Sequence, residues 1–379
     1  MSRLRRLSVT LIMIFCLLLL TSCWDQRLLK DLKLVFTVGF DKGENDEILS
    51  TIAIRESKKV SIGGEPGEAT VAVVKASGIT LRDTRLQLDR KIPGEFSPSK
   101  MRVYLIGENL AKEDLYSILD ILYRDPRAPL GAKLAITKSD ASRVIEMGTI
   151  KETLLTEAVT DLLENGEENT IIANETVQTI CPIMFDPSSD FVLPVIERIE
   201  PHDIQISGIG LISDKVFTGD ILPPHDATIL LLMAGHKGKK TQMVLKVHKD
   251  EKIVRNQYMT LNINKSKRTI TIQADSPESI KAEVHLELST SIAEYPKNSP
   301  LDKQKVDKLA EKAAAIIEEN SIPIIETIQG ANSDVLKIGE EIRVHHHSIW
   351  EELKWRETYP NIKIIPKVSV KITGTGIIN

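Results

Sequence analysis

Met101-Arg102-Val103-Tyr104-Leu105-Ile106, followed by Lys112 to Arg124, is the stretch that decides the fold class. The first six residues are rich in β-branched and aromatic types and read as a strand. In the second segment Leu115, Ile118, Leu119 and Leu122 recur at helical spacing. Asp125-Pro126 ends that helix, because the residue before a proline is pushed out of the helical region. Strand and helix each have one apolar side to bury, and they bury it against each other. The expectation is an α+β fold, multidomain, with mixed or antiparallel sheets each covered by helices.

Working towards the N-terminus, Leu32 to Val38 and Ile48 to Ile54 read as strands joined through the turn residues Asp41 to Asp46. A polar loop around Gly63-Gly64-Glu65-Pro66-Gly67 leads to a strand near Thr70 to Lys75 and a helix from Ile79 to Ile92. Working towards the C-terminus, a strand at Lys133 to Thr137 precedes helices at Ser139 to Met147 and Glu157 to Leu163. Pro182, Pro187 and Pro194 then mark a looser region, and the main boundary is expected near Ile199 to Asp203. Beyond it, Ile204 to Ile212 and Val216-Phe217 form a hairpin through Ser213-Asp214-Lys215. Alternating segments at Met243 to Val247, Tyr258 to Ile263, Thr269 to Gln273 and Ile280 to Leu288 predict an antiparallel sheet. Asp302 to Ile317 is a long helix with Val306, Leu309, Ala313 and Ile316 on one face, and Pro323 is expected to interrupt it. Ile362 to Ile372 is a last strand, which Pro366 confines to an edge or a bulge. The organisation expected is a leader over 1–22, an N-terminal α+β domain over 23–200 with room for two subdomains, and a C-terminal α+β domain over 201–379.

The leader follows from Arg3, Arg5 and Arg6, the apolar run Leu7 to Leu20 and the small residues before Cys23, which is the pattern of a secretory signal. The uncharged run Leu7 to Trp24 is 18 residues, short of the ~20 that a bilayer core needs. Leu20-Thr21-Ser22-Cys23 resembles the lipobox of bacterial lipoproteins, in which cleavage before the cysteine leaves its thiol to carry a diacylglyceryl group. Cys23 is therefore the expected lipid attachment site and the membrane anchor. Cys181 is then the one thiol left beyond it, so no internal disulfide is expected. Losing the three leader arginines moves the formal net charge from −4 to −7, which disfavours nucleic acid and anionic lipid surfaces as partners. Only a few polar residues follow Cys23 before the first strand, so the folded body is expected close to the bilayer, with Trp24 in its interfacial layer.

Catalytic patterns are missing. His345-His346-His347 are consecutive, and neighbours on a helix or strand point in different directions, so they do not converge on one metal ion. Cys181 lacks the context of a nucleophile, and the glycines at Gly63, Gly64, Gly67, Gly208 and Gly210 match neither a phosphate loop nor a dinucleotide fingerprint. Glutamate pairs such as Glu167-Glu168 and Glu340-Glu341 read as solvated helix faces. Aromatic residues make up 4% of the chain, too few for a sugar- or base-stacking platform. No cofactor, metal or catalytic residue is expected, and the chain reads as a non-enzyme.

Several segments taken together resemble the GerC-type lipoprotein family, the C subunit of bacterial spore germinant receptors. They are Cys23-Trp24-Asp25, Val38-Gly39-Phe40-Asp41-Lys42, Met101 to Ala111, Leu122-Tyr123-Arg124-Asp125-Pro126, Ser207-Gly208-Ile209-Gly210-Leu211-Ile212, Gln329 with Asp334, and Trp350 with Trp355. Lys337 and Gly339 stand where the family usually has a glycine pair. The resemblance implies a lipid-anchored subunit on the outer face of the spore inner membrane, beside integral-membrane A and B subunits, in a complex that senses nutrients. A substrate-binding lipoprotein of a transporter shares the leader and the size, but usually shows two α/β lobes. A cell-wall hydrolase would need a carboxylate pair or a metal site.

Overall fold

The computed structural model of the chain describes residues 32–57, 69–200, 203–297 and 301–376, with Arg3 and Met13 as single positions. The expected leader and Cys23 lie outside the described residues, as does the loop at Gly63 to Gly67. The first large element is a nine-stranded mixed sheet. Its N-terminal arm is an antiparallel meander of β1 (Leu32–Lys42), β2 (Ile48–Ser57) and β3 (Ala69–Gly78). Helix α1 (Leu81–Asp89) and the short β4 (Glu95–Ser97), which pairs with β1, lead into β5 (Val103–Gly107).

The opening stretch is the centre of this sheet. β5 lies parallel to β1 on one side and to β6 (Lys133–Thr137) on the other, and all five of its residues are buried. A strand covered on both faces has no need of a polar side. Val103 and Leu105 join one core and Tyr104 and Ile106 the other, as the two-residue period of a strand requires. After the single turn α2 (Glu108–Ala111), α3 (Leu115–Arg124) is capped by the Asp114 side chain and buries Leu115, Ile118, Leu119 and Leu122, the four residues of the predicted stripe.

The opposite face is covered by α4 (Ala141–Ile145) and, after the small hairpin β7 (Thr149–Ile150) and β8 (Thr153–Leu154), by α5 (Leu155–Glu168). Asp41 holds α4 in place across 100 residues: its carboxylate accepts the N–H of Ala141 at 2.6 Å and of Ser142 at 2.9 Å. Gly107 makes room for this, since a Cβ there would lie 2.2 Å from the Asp41 carboxylate.

The proline-marked segment is more regular than expected. It contains α6 (Val177–Met184), started by a reciprocal cap between Thr176 and Thr179, and β9 (Val192–Glu200), which pairs parallel to β6. Pro194 is tolerated inside the sheet beside a bulge in β10 (Asp203–Ser213). β10 and β11 (Val216–Leu222) form the predicted hairpin, with Asp214 and Lys215 at positive φ in the turn. The full order is β11-β10-β9-β6-β5-β1-β2-β3. The sheet thus runs on through β10 and β11, past the boundary expected at Ile199 to Asp203.

Helix α7 (Pro224–Met233) follows, and Ala227 to Met233 are all buried. A helix that is apolar all round lies inside a core, and this one packs between β10 and the second sheet. That sheet has the order β12 (Gln242–Lys246), β13 (Tyr258–Ser276), β14 (Ser279–Glu294) and β15 (Lys363–Gly374). It is not wholly antiparallel: β15 runs parallel to β14 because α8 (Lys303–Gly330) crosses between them. Pro366 sits on β15, an edge strand. Pro323 does not interrupt α8, which continues to Gly330 with Ile324, Ile325 and Ile328 buried beyond the proline. One continuous core joins the second sheet, α7 and α8 to the α4 and α5 face of the first sheet.

Candidate functional site

Where α8 ends, the chain makes a tight passage into α9 (Ile338–His345), α10 (His347–Trp350) and α11 (Trp355–Thr358). Asp334 in this passage is fully buried. Its two carboxylate oxygens accept the N–H groups of Ile338 at 3.0 Å and Gly339 at 2.8 Å, the orphan donors at the start of α9. Burial pushes the Asp334 carboxyl up to about 7 against the opposing pull of those two N–H groups.

Asp190, just before β9, completes the arrangement. Arg356 grips its carboxylate with two nitrogens, at 2.5 and 2.8 Å. The same carboxylate accepts the N–H of Asp334 at 2.8 Å and of Asp214 at 3.1 Å, and the Asp190 N–H donates back to the Asp334 carbonyl. Burial is the largest influence on the Arg356 guanidinium and pulls it down, but the bond to Asp190 and the charges of Asp190, Asp214 and Asp334 together outweigh it, and the net shift is upward. Around this pair, the Ser333 hydroxyl donates to the Ile212 carbonyl, Ser213 donates to the Asn332 carbonyl and Tyr359 donates to the Ser333 carbonyl. Gln329 donates to the carbonyls of Tyr359 and Ile362. Trp355 lies between Trp350 and Tyr359, with ring centres 5.7 and 5.5 Å away. Gly339 allows this closeness, since a Cβ there would meet the Ser188 carbonyl and the Trp355 ring nitrogen at 2.6 Å.

Residues 186–214, which include β9 and β10 of the first sheet, are thus fastened to residues 329–362 by a partly buried, hydrogen-bonded ion pair. A cleft of about 320 Å³ opens above it, lined by Phe185, Asp186, Asp214, Lys215 and Arg356 among others. Both Asp334 oxygens are committed to backbone donors, so this carboxyl is placed to hold a fold together rather than to move a proton to a substrate. Gln329, Asp334, Trp350, Trp355 and the 207–212 segment, scattered in sequence, meet at this junction. Asp41 and Tyr123 serve elsewhere: Asp41 caps α4, and the Tyr123 hydroxyl donates to the Val177 carbonyl. Asp190 and Arg356 were not singled out by the sequence, because nothing local marks a pair separated by 166 positions. His345 and His347 lie on the surface, each 3.5 Å from the glutamate one turn away, Glu341 and Glu351. Among the described residues no three histidine, cysteine or carboxylate side chains are placed to share a metal ion, and Cys181 is half-buried on α6.

Residues 25–198 match the family described as the spore germination protein N-terminal domain, and residues 207–376 match the one described as spore germination B3/GerAC like, C-terminal. The chain belongs to this GerC-type spore germination family. Relatives include spore germination protein GerQC of Bacillus cereus, 23% identical over 359 residues, which cover 94% of this chain and 96% of that protein. Spore germination protein KC of Bacillus subtilis is 20% identical, with 99% and 97% covered. The crystal structure of the GerBC protein matches the fold with a TM-score of 0.59 at 15% identity, covering 89% of this chain and 96% of that one. The expected α+β class is the class of the structure. The two family segments meet between 198 and 207, where β9 turns into β10 within one sheet.

Proposed function

We propose that this chain is the lipid-anchored C subunit of a spore germinant receptor, a non-enzymatic scaffold or sensor needed for nutrient-triggered germination. The observation that carries the reading is the tandem match of both spore-germination segments in order across residues 25–376. Cys23 supplies the attachment, through acyl chains that bind stably where a single chain would be marginal. The body then sits on the outer face of the spore inner membrane beside integral-membrane A and B subunits. The domains 23–200 and 201–379 act as one unit, which the sheet running past residue 200 and the Asp190–Arg356 pair support.

The test is genetic. Deletion of the gene, or Cys23→Ala, is expected to abolish or weaken germination by nutrients and to leave germination by a receptor-independent trigger intact. A normal nutrient response in both strains overturns the proposal.

A further inference from the structure

A second site lies far from the junction in sequence, between α1, α3 and the face of the first sheet. It is a cavity of about 70 Å³ walled by Phe40, Ile52, Leu88, Phe96, Met101 and Leu122, with exposed Arg82 on its lining. A buried water needs about 10–15 Å³ of such space, so the cavity has room for about five to seven heavy atoms. Its polar groups are not finished. The Arg85 guanidinium lies over the Phe96 ring, 4.2 Å from its centre, and Nη2 donates to the Phe96 carbonyl at 2.8 Å. Its Nε is buried with no acceptor, and the nearest carboxylate, Asp89, is 3.9 Å away. Tyr104, buried in the wall of the same cavity, brings a phenol hydroxyl to that wall. By contrast the Ser50 hydroxyl donates to Thr84, and the Thr84 hydroxyl donates to the Leu81 carbonyl. Asp125, also on the lining, already accepts the Arg127 N–H at 2.9 Å. The charged lining residues are Arg82, Arg85 and Asp125, a net positive set.

A buried donor without an acceptor beside a tyrosine hydroxyl, in an apolar chamber with a positive lining, calls for a ligand that has acceptors at one end and hydrocarbon at the other. We propose that this cavity binds a small monocarboxylate with an apolar body, its carboxylate accepting from Arg85 Nε and the Tyr104 hydroxyl and its hydrocarbon filling the space beside Phe96 and Leu88. The inference concerns binding by this chain itself and stands whether or not the receptor reading holds. It is tested by calorimetric titration of the full-length chain in detergent micelles with isovalerate and with its neutral amide. Saturable binding of isovalerate is expected, weakened at least ~10-fold for the amide, ~10-fold or more by Arg85→Met and severalfold by Tyr104→Phe, since charged hydrogen bonds are about twice as strong as neutral ones. Tyr104→Phe keeps the ring in place, so it decides the matter if Arg85→Met does not fold. No saturable isovalerate binding, equal binding of the amide, or equal binding by the folded variants overturns the proposal.

Discussion

Arg356 and Arg85 are both largely withdrawn from water, with 31% and 16% of their side chains exposed, and they are treated in opposite ways. Burial pulls both guanidinium groups down. At Arg356 the two-pronged contact with Asp190, joined by the charges of Asp214 and Asp334, reverses that pull, whereas at Arg85 the more distant Asp89 does not. The more exposed arginine is the better bonded one. A buried charge that is paired and hydrogen-bonded can be part of a fastening, while one left with a free donor is a cost the fold tolerates. The junction is therefore a closed structural element, and the cavity beside Phe96 is an unfinished one.

The largest expected effect comes from breaking the closed element. Asp190→Ala leaves Arg356 without its carboxylate and removes the acceptor for the N–H groups of Asp334 and Asp214. Removing one member of a buried pair costs about 3–5 kcal/mol, and the partial exposure of Arg356 places this variant near the lower end. Urea unfolding of the purified chain reads the loss as a lower midpoint. A change under about 1 kcal/mol would mean that the pair fastens nothing.

Asp334 gives the junction a pH dependence. Its carboxyl keeps a proton up to about pH 7 in the folded chain, against an ordinary value of 3.8. Between these values the folded chain binds more protons than the unfolded one. The contribution is fully present below the ordinary value and is lost as pH rises through about 7, with a slope of at most about 1.4 kcal/mol per pH unit. Unfolding midpoints measured across this window are expected to fall with pH, and Asp334→Asn is expected to remove that part of the slope. The amide can accept only one of the two α9 N–H groups, so the variant is also less stable throughout; the slope, not the offset, is the readout.

Smaller effects separate packing from charge. Gly339→Ala forces a methyl against the Ser188 carbonyl and Trp355, and overpacking of this kind costs about 1–3 kcal/mol. It is expected to lower the unfolding midpoint, and the pH slope stays the same only if the Gly339 N–H keeps its bond to Asp334. A changed slope means that the methyl has also displaced the Gly339 N–H from Asp334.

The two regions also differ in how much of them the sequence discloses. Elements with one apolar face are legible: the α3 stripe of Leu115, Ile118, Leu119 and Leu122 and the β10–β11 hairpin with Asp214-Lys215 follow from periodicity and turn chemistry. Helix α7 is not, because its run from Ala227 to Met233 is buried on every side and leaves no polar face to give a period. The direction of β15 is not legible either, since alternation defines a strand but only the crossover through α8 makes it parallel. At the junction, Gln329, Asp334 and Trp355 stood out by resemblance, yet Asp190 and Arg356 meet only after both sheets have formed. The cavity was hidden for a similar reason: Arg85 reads as one more charge on the polar side of α1, and its burial comes from Phe96 folding over it.

The smallest expected effect is the one that most sharpens the contrast. Arg85→Met keeps a long side chain over Phe96 and removes a guanidinium whose Nε has no acceptor. The loss of one bond to the Phe96 carbonyl, about 1 kcal/mol, is offset by relief of a buried charge, because apolar replacements for buried ions are often neutral or stabilising. The unfolding free energy is expected to stay within about 1 kcal/mol of the parent. The matching change Arg356→Met strands the Asp190 carboxylate, which is only 3% exposed, and is expected to cost about 3 kcal/mol. If the two methionine variants lose similar amounts, the difference between a fastening and an open site is wrong. Arg85 is then a structural residue whose missing acceptor carries no function.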